Sequence, residues 1–404
     1  MSRIHFTGTG VVSPLGSNVA ETFSAIRQGE SGVVLVEEWA SVDGLGTHVA
    51  ALVSDFDPRF ISRKTRRTMS KMSQMICQAA QEALDQAGLT LEELNERRVV
   101  LIVGSTTPST GSLEQGFKKF HDTHSTGGQF STTLFKGMNH SVALNLASYL
   151  GFKGRVLSPA SACSTGAQAL ALRGDFIRAG LCDIAICGGA DEAHVGTAIA
   201  FDTAQAASSG YNDRPGEASR PFDENRSGVV VAEGAAIAVL ESEASMQARK
   251  ATSMGQLLGW AESCDGGEVA HSTAKSMEAN MRAAIENAGL GPKDIGYVNA
   301  HATATHLGDR YEAEAIHAVF GRVPVSSLKG HLGHSFAPCG TLESIATLAM
   351  LRSGSFWPTL NCRKPDPELP GLDYLLTERS MDCPVAMSNS FAMGGFNVAL
   401  VLSA

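Results

Sequence analysis

Four short clusters of residues carry the chemistry this sequence offers. Cys163 lies in Ser158-Pro-Ala-Ser-Ala-Cys163-Ser-Thr-Gly, where small residues lead into an Ala-rich, helix-like run. A sulfur at a helix N-terminus meets unpaired N–H groups and their partial positive charge, which favours thiolate and lowers the pKa. The small neighbours let backbone N–H groups approach a bound thioester carbonyl. Read alone, a buried structural cysteine competes with this assignment, because free Cys is among the most buried residue types. The second cluster is Asn299-Ala-His301-Ala-Thr303-Ala-Thr305, followed by Gly308-Asp309. His301 follows a predicted strand end, a usual place for catalytic groups in open α/β sheets. Thr303 and Thr305 alternate in a way that suits the amide and hydroxyl groups of an extended ligand, and Asp309 is placed to cap the next helix.

The third cluster is Lys329-Gly-His331-Leu-Gly333-His334, two histidines and a lysine bracketed by glycines. Metal ligation by His331 and His334 lacks a carboxylate or Cys at a usual ligand spacing, so no metal is expected. The fourth is Phe391-Ala-Met393-Gly394-Gly395-Phe396-Asn397. Its glycine pair suits a tight turn before the last strand and is far from a phosphate-binding loop.

The elements that must position these clusters alternate in type. Strands are expected at Ile4–Gly8, Val99–Val103, Ile184–Gly188, Ala235–Leu240, Gly296–Asn299 and Val398–Leu402. Helices are expected at Ser70–Ala87, Ser164–Ala179, Lys275–Ala288, Asp309–Phe320 and Leu342–Arg352. Alternating β-branched runs and helical stretches specify an α/β fold. The order strand, polar loop, small-residue loop and apolar helix occurs twice. This suggests two similar halves, 1–245 and 246–404, with a site between them.

The 404 residues are 43% hydrophobic and 18% charged, which excludes a disordered or fibrous chain. A net charge of −9 argues against general nucleic-acid binding, which needs a broad basic surface. No apolar run reaches the roughly 18 residues of a membrane span, and the N-terminus has no apolar signal segment. The eight cysteines are scattered and form no Cys-x-x-Cys pair, which points to reduced thiols in the cytoplasm.

Taken together, the four clusters resemble the decarboxylating β-ketoacyl-acyl carrier protein synthases, types I and II, of the thiolase-like superfamily. Further matches are Phe6-Thr-Gly-Thr-Gly-Val-Val-Ser-Pro-Leu-Gly16, Ser219-Arg-Pro-Phe-Asp223 and Ala232-Glu-Gly-Ala235, so the resemblance spans essentially the whole chain. It implies a thiolase-like, duplicated five-layer α-β-α-β-α fold and an acyltransferase that condenses malonyl-acyl carrier protein with an acyl group held on a cysteine. Carried over by motif, Cys163 is the acyl-accepting nucleophile, His301 and His334 are the two active-site histidines and Lys329 is the family lysine; His331 is left as an extra histidine. Asp309 and Glu343 match acidic positions that support the lysine and its loop, with Asp309 expected to pair with Lys329. Met393, beside Phe391, falls where the family has a gating Phe whose backbone N–H completes an oxyanion hole with that of Cys163. Thr303 and Thr305 would hold substrate, and Thr107 and Phe201 would line the acyl pocket. No metal or organic cofactor is implied, since the phosphopantetheine arm arrives on the carrier. The expected partner is an acyl carrier protein, received on Arg63, Lys64, Arg66, Arg67 and Lys71, five cations in nine residues, to which Lys118 and Lys119 would add. A homodimer is expected, with a homologous synthase-like subunit as the alternative partner.

A thiolase would need a second C-terminal Cys as base, and a type III initiation synthase would pair its Cys with His and Asn. The Cys383 to Asn397 region has no Cys-x-Gly motif, which sets the first aside, and Lys329-x4-His334 fits the two-histidine class rather than the second. A carrier-binding scaffold with little condensing activity is the remaining alternative. The sequence also departs from the family. The gate reads Ala-Met-Gly-Gly-Phe-Asn instead of Gly-Phe-Gly-Gly-Thr-Asn, and the segment after the second histidine reads Ser335-Phe-Ala-Pro-Cys-Gly340 instead of x-Leu-Gly-Ala-Ala-Gly. The loop Asp265–His271 lacks a common His-Met-Thr-x-Pro run. These changes surround the pocket and point to a pathway-specific synthase with its own acyl preference.

Overall fold

The computed structural model describes residues 3–54, 56–127, 130–267 and 272–404. The first half contributes strands β1 (Ile4–Val12), β2 (Val99–Gly104), β3 (Arg155–Leu157), β4 (Ile184–Asp191) and β5 (Gly234–Ser242). The second contributes β6 (Gln256–Cys264), β7 (Tyr297–Asn299), β8 (Pro324–Ser326), β9 (Val385–Phe391) and β10 (Phe396–Ser403). Across the first half the strands run β3-β2-β4-β5-β1, and across the second β8-β7-β9-β10-β6. Numbered within each half, both orders are third, second, fourth, fifth, first. The halves meet where β1 pairs with β6 at His5 and Gln256, and Asp373–Tyr374 adds a short edge strand beside β8.

Two helices lie between the halves: α2 (Thr165–Arg178) and α5 (Cys339–Ser353) pack on each other and on strands of both. Their sequences explain the position. Ala167, Ala169, Leu170 and Ala171 are buried on α2, and Leu342, Ile345, Ala346 and Leu348 on α5, so neither helix keeps a wide polar face. The outer layers are α1 (Lys71–Ala87) on the first half, and α3 (Ala274–Asn287) with α4 (His306–Phe320) on the second. The result is five layers with three apolar cores, one central and two lateral.

The predicted helices and strands are present with small changes at their ends. Four of the ten strands were not anticipated: the long β6 and β9 and the three-residue β3 and β8. Four residues of the altered 265–271 loop, Glu268 to His271, lie outside the described residues. No helix among the described residues is long and apolar enough to cross a membrane.

Candidate active site

The duplicated topology brings equivalent loops together. The loop after the third strand of the first half carries Cys163, and its counterpart after β8 carries Lys329 and His334. The loop after the second strand of the second half carries His301. All of these open onto the seam between the halves.

Cys163 sits in a single 3-10 turn, Ala162–Ser164, that leads directly into α2. The turn is tight: Ala162 has φ +50, a left-handed conformation costly for a residue with a Cβ. It is held by side chains. The Thr165 hydroxyl donates to the Ala162 carbonyl at 2.7 Å, and the Thr106 hydroxyl donates to the same oxygen at 3.2 Å. The Ser161 N–H in turn donates to the Thr165 hydroxyl at 2.9 Å.

His334 Nε2 lies 2.9 Å from Cys163 Sγ, and the His301 ring stands edge-on to that of His334 with centroids 5.2 Å apart. The sulfur and one nitrogen from each histidine lie within 4.8 Å of one another. The His334 backbone is fixed from both sides, donating to the Val230 carbonyl and accepting from the Ala232 N–H. His301 is fixed through Glu312, whose carboxylate accepts the His301 N–H at 2.8 Å, the Ala302 N–H at 2.6 Å and an Asn389 amide at 3.2 Å.

Lys329 is fully buried, with its ammonium 2.5 Å from Glu343 Oε1. Burial, the largest single influence, would lower the lysine pKa, but Glu343, with Cys339 and Glu312, outweighs it and holds Lys329 above its ordinary value. Burial, followed by this positive charge, keeps both imidazoles well below 6.5, so both are neutral at pH 7. The Cys163 thiol goes the other way from the sequence expectation: burial pushes it up to about 12. Lys329 and the N–H groups of Cys163 and Met393 oppose that rise without cancelling it. Desolvation exceeds the helix-terminus effect here, and the resting nucleophile is a thiol with a histidine nitrogen against it.

Three sequence-based placements need correction. Asp309 does not pair with Lys329. It sits in the first turn of α4 and accepts the Phe222 N–H at 2.8 Å, with the Arg226 guanidinium 3.8 Å away. Burial pushes its carboxyl up to about 6, opposed by Arg226 and by the N–H groups of Phe222, Ala304 and Thr303, the last two in the loop that follows His301. Glu343, in the second turn of α5, is the carboxylate that reaches the lysine. Phe391 is not at the mouth either: it is buried in the lateral core with Ala302 and Met387, because it ends β9 on the face opposite the seam. Lys71 opens α1 with its ammonium bound to the buried Glu233 and to the Val53 carbonyl, so it is not a free docking cation. Lys118 pairs with Asp122 at 2.9 Å on its own helix and stays exposed to solvent.

Met393 is 44% exposed in a turn whose next two residues, Gly394 and Gly395, have φ +81 and +74. A Cβ on Gly395 would lie 2.1 Å from Asp265 Oδ1, so only glycine lets this turn dock against the 265 loop. Thr303 and Thr305 face each other with hydroxyls 3.2 Å apart just beyond His301. Thr107 follows β2, and Phe201 lies against Phe336 with ring centroids 5.7 Å apart. Arg63, Lys64 and Arg67 are exposed on and after a one-turn helix, with Arg66 partly covered. His331 is held away from the triad by the carbonyls of Glu30 and Pro358. Glu312, Asn389 and Asp191 were missed, since nothing local in the sequence links them to the clusters they support.

Comparison with known proteins agrees with this architecture. Residues 1–245 match the N-terminal domain of beta-ketoacyl synthase and residues 254–363 match its C-terminal domain. The chain is 34% identical to 3-oxoacyl-[acyl-carrier-protein] synthase 2 of Coxiella burnetii, over 99% of this chain and 98% of that protein. A crystal structure of a beta-ketoacyl synthase from Burkholderia phymatum superposes with a TM-score of 0.95 at 35% identity, covering 100% of this chain and 99% of that one. A type II polyketide ketosynthase, bound to the hexaketide and in complex with its acyl-carrier protein, superposes at 0.90 with 26% identity, over 100% and 99% of the two chains. By these matches the chain belongs to the β-ketoacyl synthase family.

Proposed function

We propose that the protein is a β-ketoacyl-acyl carrier protein synthase that joins an acyl group on Cys163 to a malonyl unit with loss of CO2. The observation that carries this reading is the buried Cys163–His334–His301 constellation with the Lys329–Glu343 pair behind it.

The neutral His334 Nε2, 2.9 Å from the sulfur, takes the thiol proton as the sulfur attacks the acyl thioester carbonyl. The N–H groups of Cys163 and Met393 stabilise the oxyanion, and collapse expels the carrier thiol, which recovers the proton from His334. Malonyl-carrier then enters. Its thioester oxygen accepts hydrogen bonds from the neutral histidines, and the C–C bond to the carboxylate breaks, releasing CO2 as charge moves onto that oxygen. The enolate carbon attacks the acyl-Cys163 carbonyl, and the C–S bond breaks to give the β-ketoacyl-carrier and a Cys163 thiolate, which takes up one proton from solvent through His334 to restore the thiol. Neutral donors suit this step because a cationic pair would bind the malonate carboxylate and stabilise the state that must decompose. Neither histidine Nδ1 has a protein partner among the described residues, so once Cys163 is acylated no side chain at Nδ1 opposes the tautomer that donates from Nε2.

No resident cofactor enters this scheme; the phosphopantetheine arm comes with the carrier. The exposed Arg63, Lys64 and Arg67, with Arg66, form the receiving patch for an acidic carrier. A second copy of the chain is the proposed partner for the apolar face on which Phe117, Phe120, Phe130 and Leu134 stand exposed. A homologous subunit is the alternative occupant. We place the enzyme in the cytoplasm, supported by eight unpaired cysteines.

Incubation with a panel of acyl-carrier proteins, read by intact mass, tests the reading. A single acyl adduct on Cys163 that disappears with malonyl-carrier as a β-ketoacyl product forms is the expected result. A folded protein that binds carrier but takes no acyl group would instead be a scaffold or need a partner subunit.

A further inference from the structure

Asp191, the last residue of β4, plays no part in the chemistry above, yet it lies at the centre of the site's framework. Its carboxylate accepts the Thr106 N–H at 3.1 Å on each oxygen and the Thr107 N–H at 3.4 Å. It also accepts the Ala337 N–H at 2.8 Å. It is buried and forms no ion pair with Lys or Arg among the described residues, so burial pushes it up to about 7. A carboxyl in such surroundings costs stability, which a neutral residue would not.

What it joins is informative. Thr106 and Thr107 follow β2 in the first half, and Thr106 also grips the Ala162 carbonyl beside the nucleophile. Ala337 follows His334 in the second half, and its carbonyl accepts the N–H of Gly166 on α2 at 2.9 Å. Between His334 and Ala337 stands Phe336, at φ +61, another left-handed non-glycine residue. Its ring lies 4.7 Å from the His334 ring and 5.7 Å from that of Phe201, and it shares one apolar cluster with Cys163, Ala198 and Ala392. The family pattern has Leu at this position. A leucine swings aside by rotamer changes, whereas a phenylalanine on a backbone pinned at Ala337 and enclosed by two rings has little room to move.

We propose that Asp191 is a positioning residue that fixes the spacing of the two acyl-pocket walls, Thr107 from one half and Phe336 from the other, and that the Phe336 ring so held restricts Cys163 to short acyl chains. An acyl chain leaving the sulfur toward Phe201 meets the Phe201–Phe336 ring pair, so each added methylene must displace an aromatic ring or turn away. The inference rests on the condensing activity proposed above.

The test measures acylation of Cys163 by saturated acyl-carriers of increasing length in the wild type, Phe336→Leu and Asp191→Asn. In parallel, alkyl methanethiosulfonates of the same lengths, which form a mixed disulfide on Cys163 as sulfinate leaves, read pocket depth without any turnover. The wild type is expected to cut off at short chains with both probes. Phe336→Leu should move the cut-off to longer chains, raising the long-to-short ratio about tenfold or more. Asp191→Asn must turn an amide N–H toward a backbone N–H, and it should blunt the discrimination by a similar factor at unchanged secondary structure. A cut-off that stays put in Phe336→Leu with the thiosulfonate probes overturns the wall assignment, even if the protein condenses nothing. An Asp191→Asn protein that melts earlier but keeps the wild-type length profile reduces Asp191 to a structural residue and overturns the positioning role. Absence of acylation from every carrier, with thiosulfonate labelling intact, would instead count against the condensing activity alone.

Discussion

The two halves share one strand order and divide the labour at the seam between them. The first half supplies the nucleophile on a strained turn, framed by small residues, hydroxyls and one uncompensated carboxylate, Asp191. The second half supplies the charged and titrating groups: His301, Lys329 and His334 in the segments that follow its own second and third strands, and Glu312 and Glu343 on α4 and α5 behind them. Cys163 precedes α2, and Lys329 and His334 precede α5, the two helices that pack together at the centre. Duplication therefore places two equivalent loops face to face, and divergence lets one become a cradle for a sulfur and the other a fixed positive field. The sulfur gets little help from its own half, since burial raises its pKa and the charge that opposes the rise comes from Lys329 across the seam.

The sharpest break in this division is removal of the nucleophile. Cys163→Ala is expected to lower condensation by at least about 10³-fold while leaving carrier binding unchanged. Carrier affinity by calorimetry alongside product formation checks both halves of that statement. Next is the charge pair. Lys329→Ala leaves Glu343 buried without its partner, a loss of about 3–5 kcal/mol measurable by urea unfolding. The variant also loses the field that helps keep the histidines neutral.

That field gives a pH prediction. Both imidazoles are held below 6.5, first by burial and then by Lys329, so they stay neutral as pH falls through 6.5. The decarboxylation rate should therefore remain flat across that range and fall only at lower pH, where the rings take up protons. In Lys329→Met one cause of the lowering is gone, and the acidic limb of the profile should shift toward higher pH.

Much of this arrangement is legible in the sequence because it is local. The small-residue turn before an Ala-rich helix, the alternating Thr after His301 and the Gly-bracketed Lys-His segment each mark their place by composition. Strand β9 is harder, because its run Val-Ala-Met-Ser-Asn-Ser-Phe is polar at its centre. In the fold those polar groups are answered from other elements, Asn389 by Glu312 and Ser388 by Asn299. A window of neighbouring residues carries no trace of such partners. The choice between Asp309 and Glu343 for Lys329 is likewise tertiary, fixed by which helix turn faces the lysine. The Cys163 pKa follows the same rule: helix position is readable in sequence, whereas complete burial is not.

The smallest expected effect separates the surface from the seam. Reversing Arg63, Lys64 and Arg67 to Glu should raise KM for acyl-carrier several-fold, more at low salt than at high, with kcat unchanged. Lys71→Ala should leave that KM alone and lower stability instead, since its ammonium serves Glu233. A KM effect from Lys71→Ala and none from the other three would redraw the docking patch.

The division of labour is tested most directly by following CO2 release from carboxyl-labelled malonyl-carrier in His301→Ala already acylated on Cys163. The account predicts a stable acyl adduct by mass with CO2 release lowered about 10²–10³-fold, the cost of one removed transition-state donor. Loss of the acyl adduct with decarboxylation intact would contradict it, because His301 would then serve the sulfur rather than the enolate.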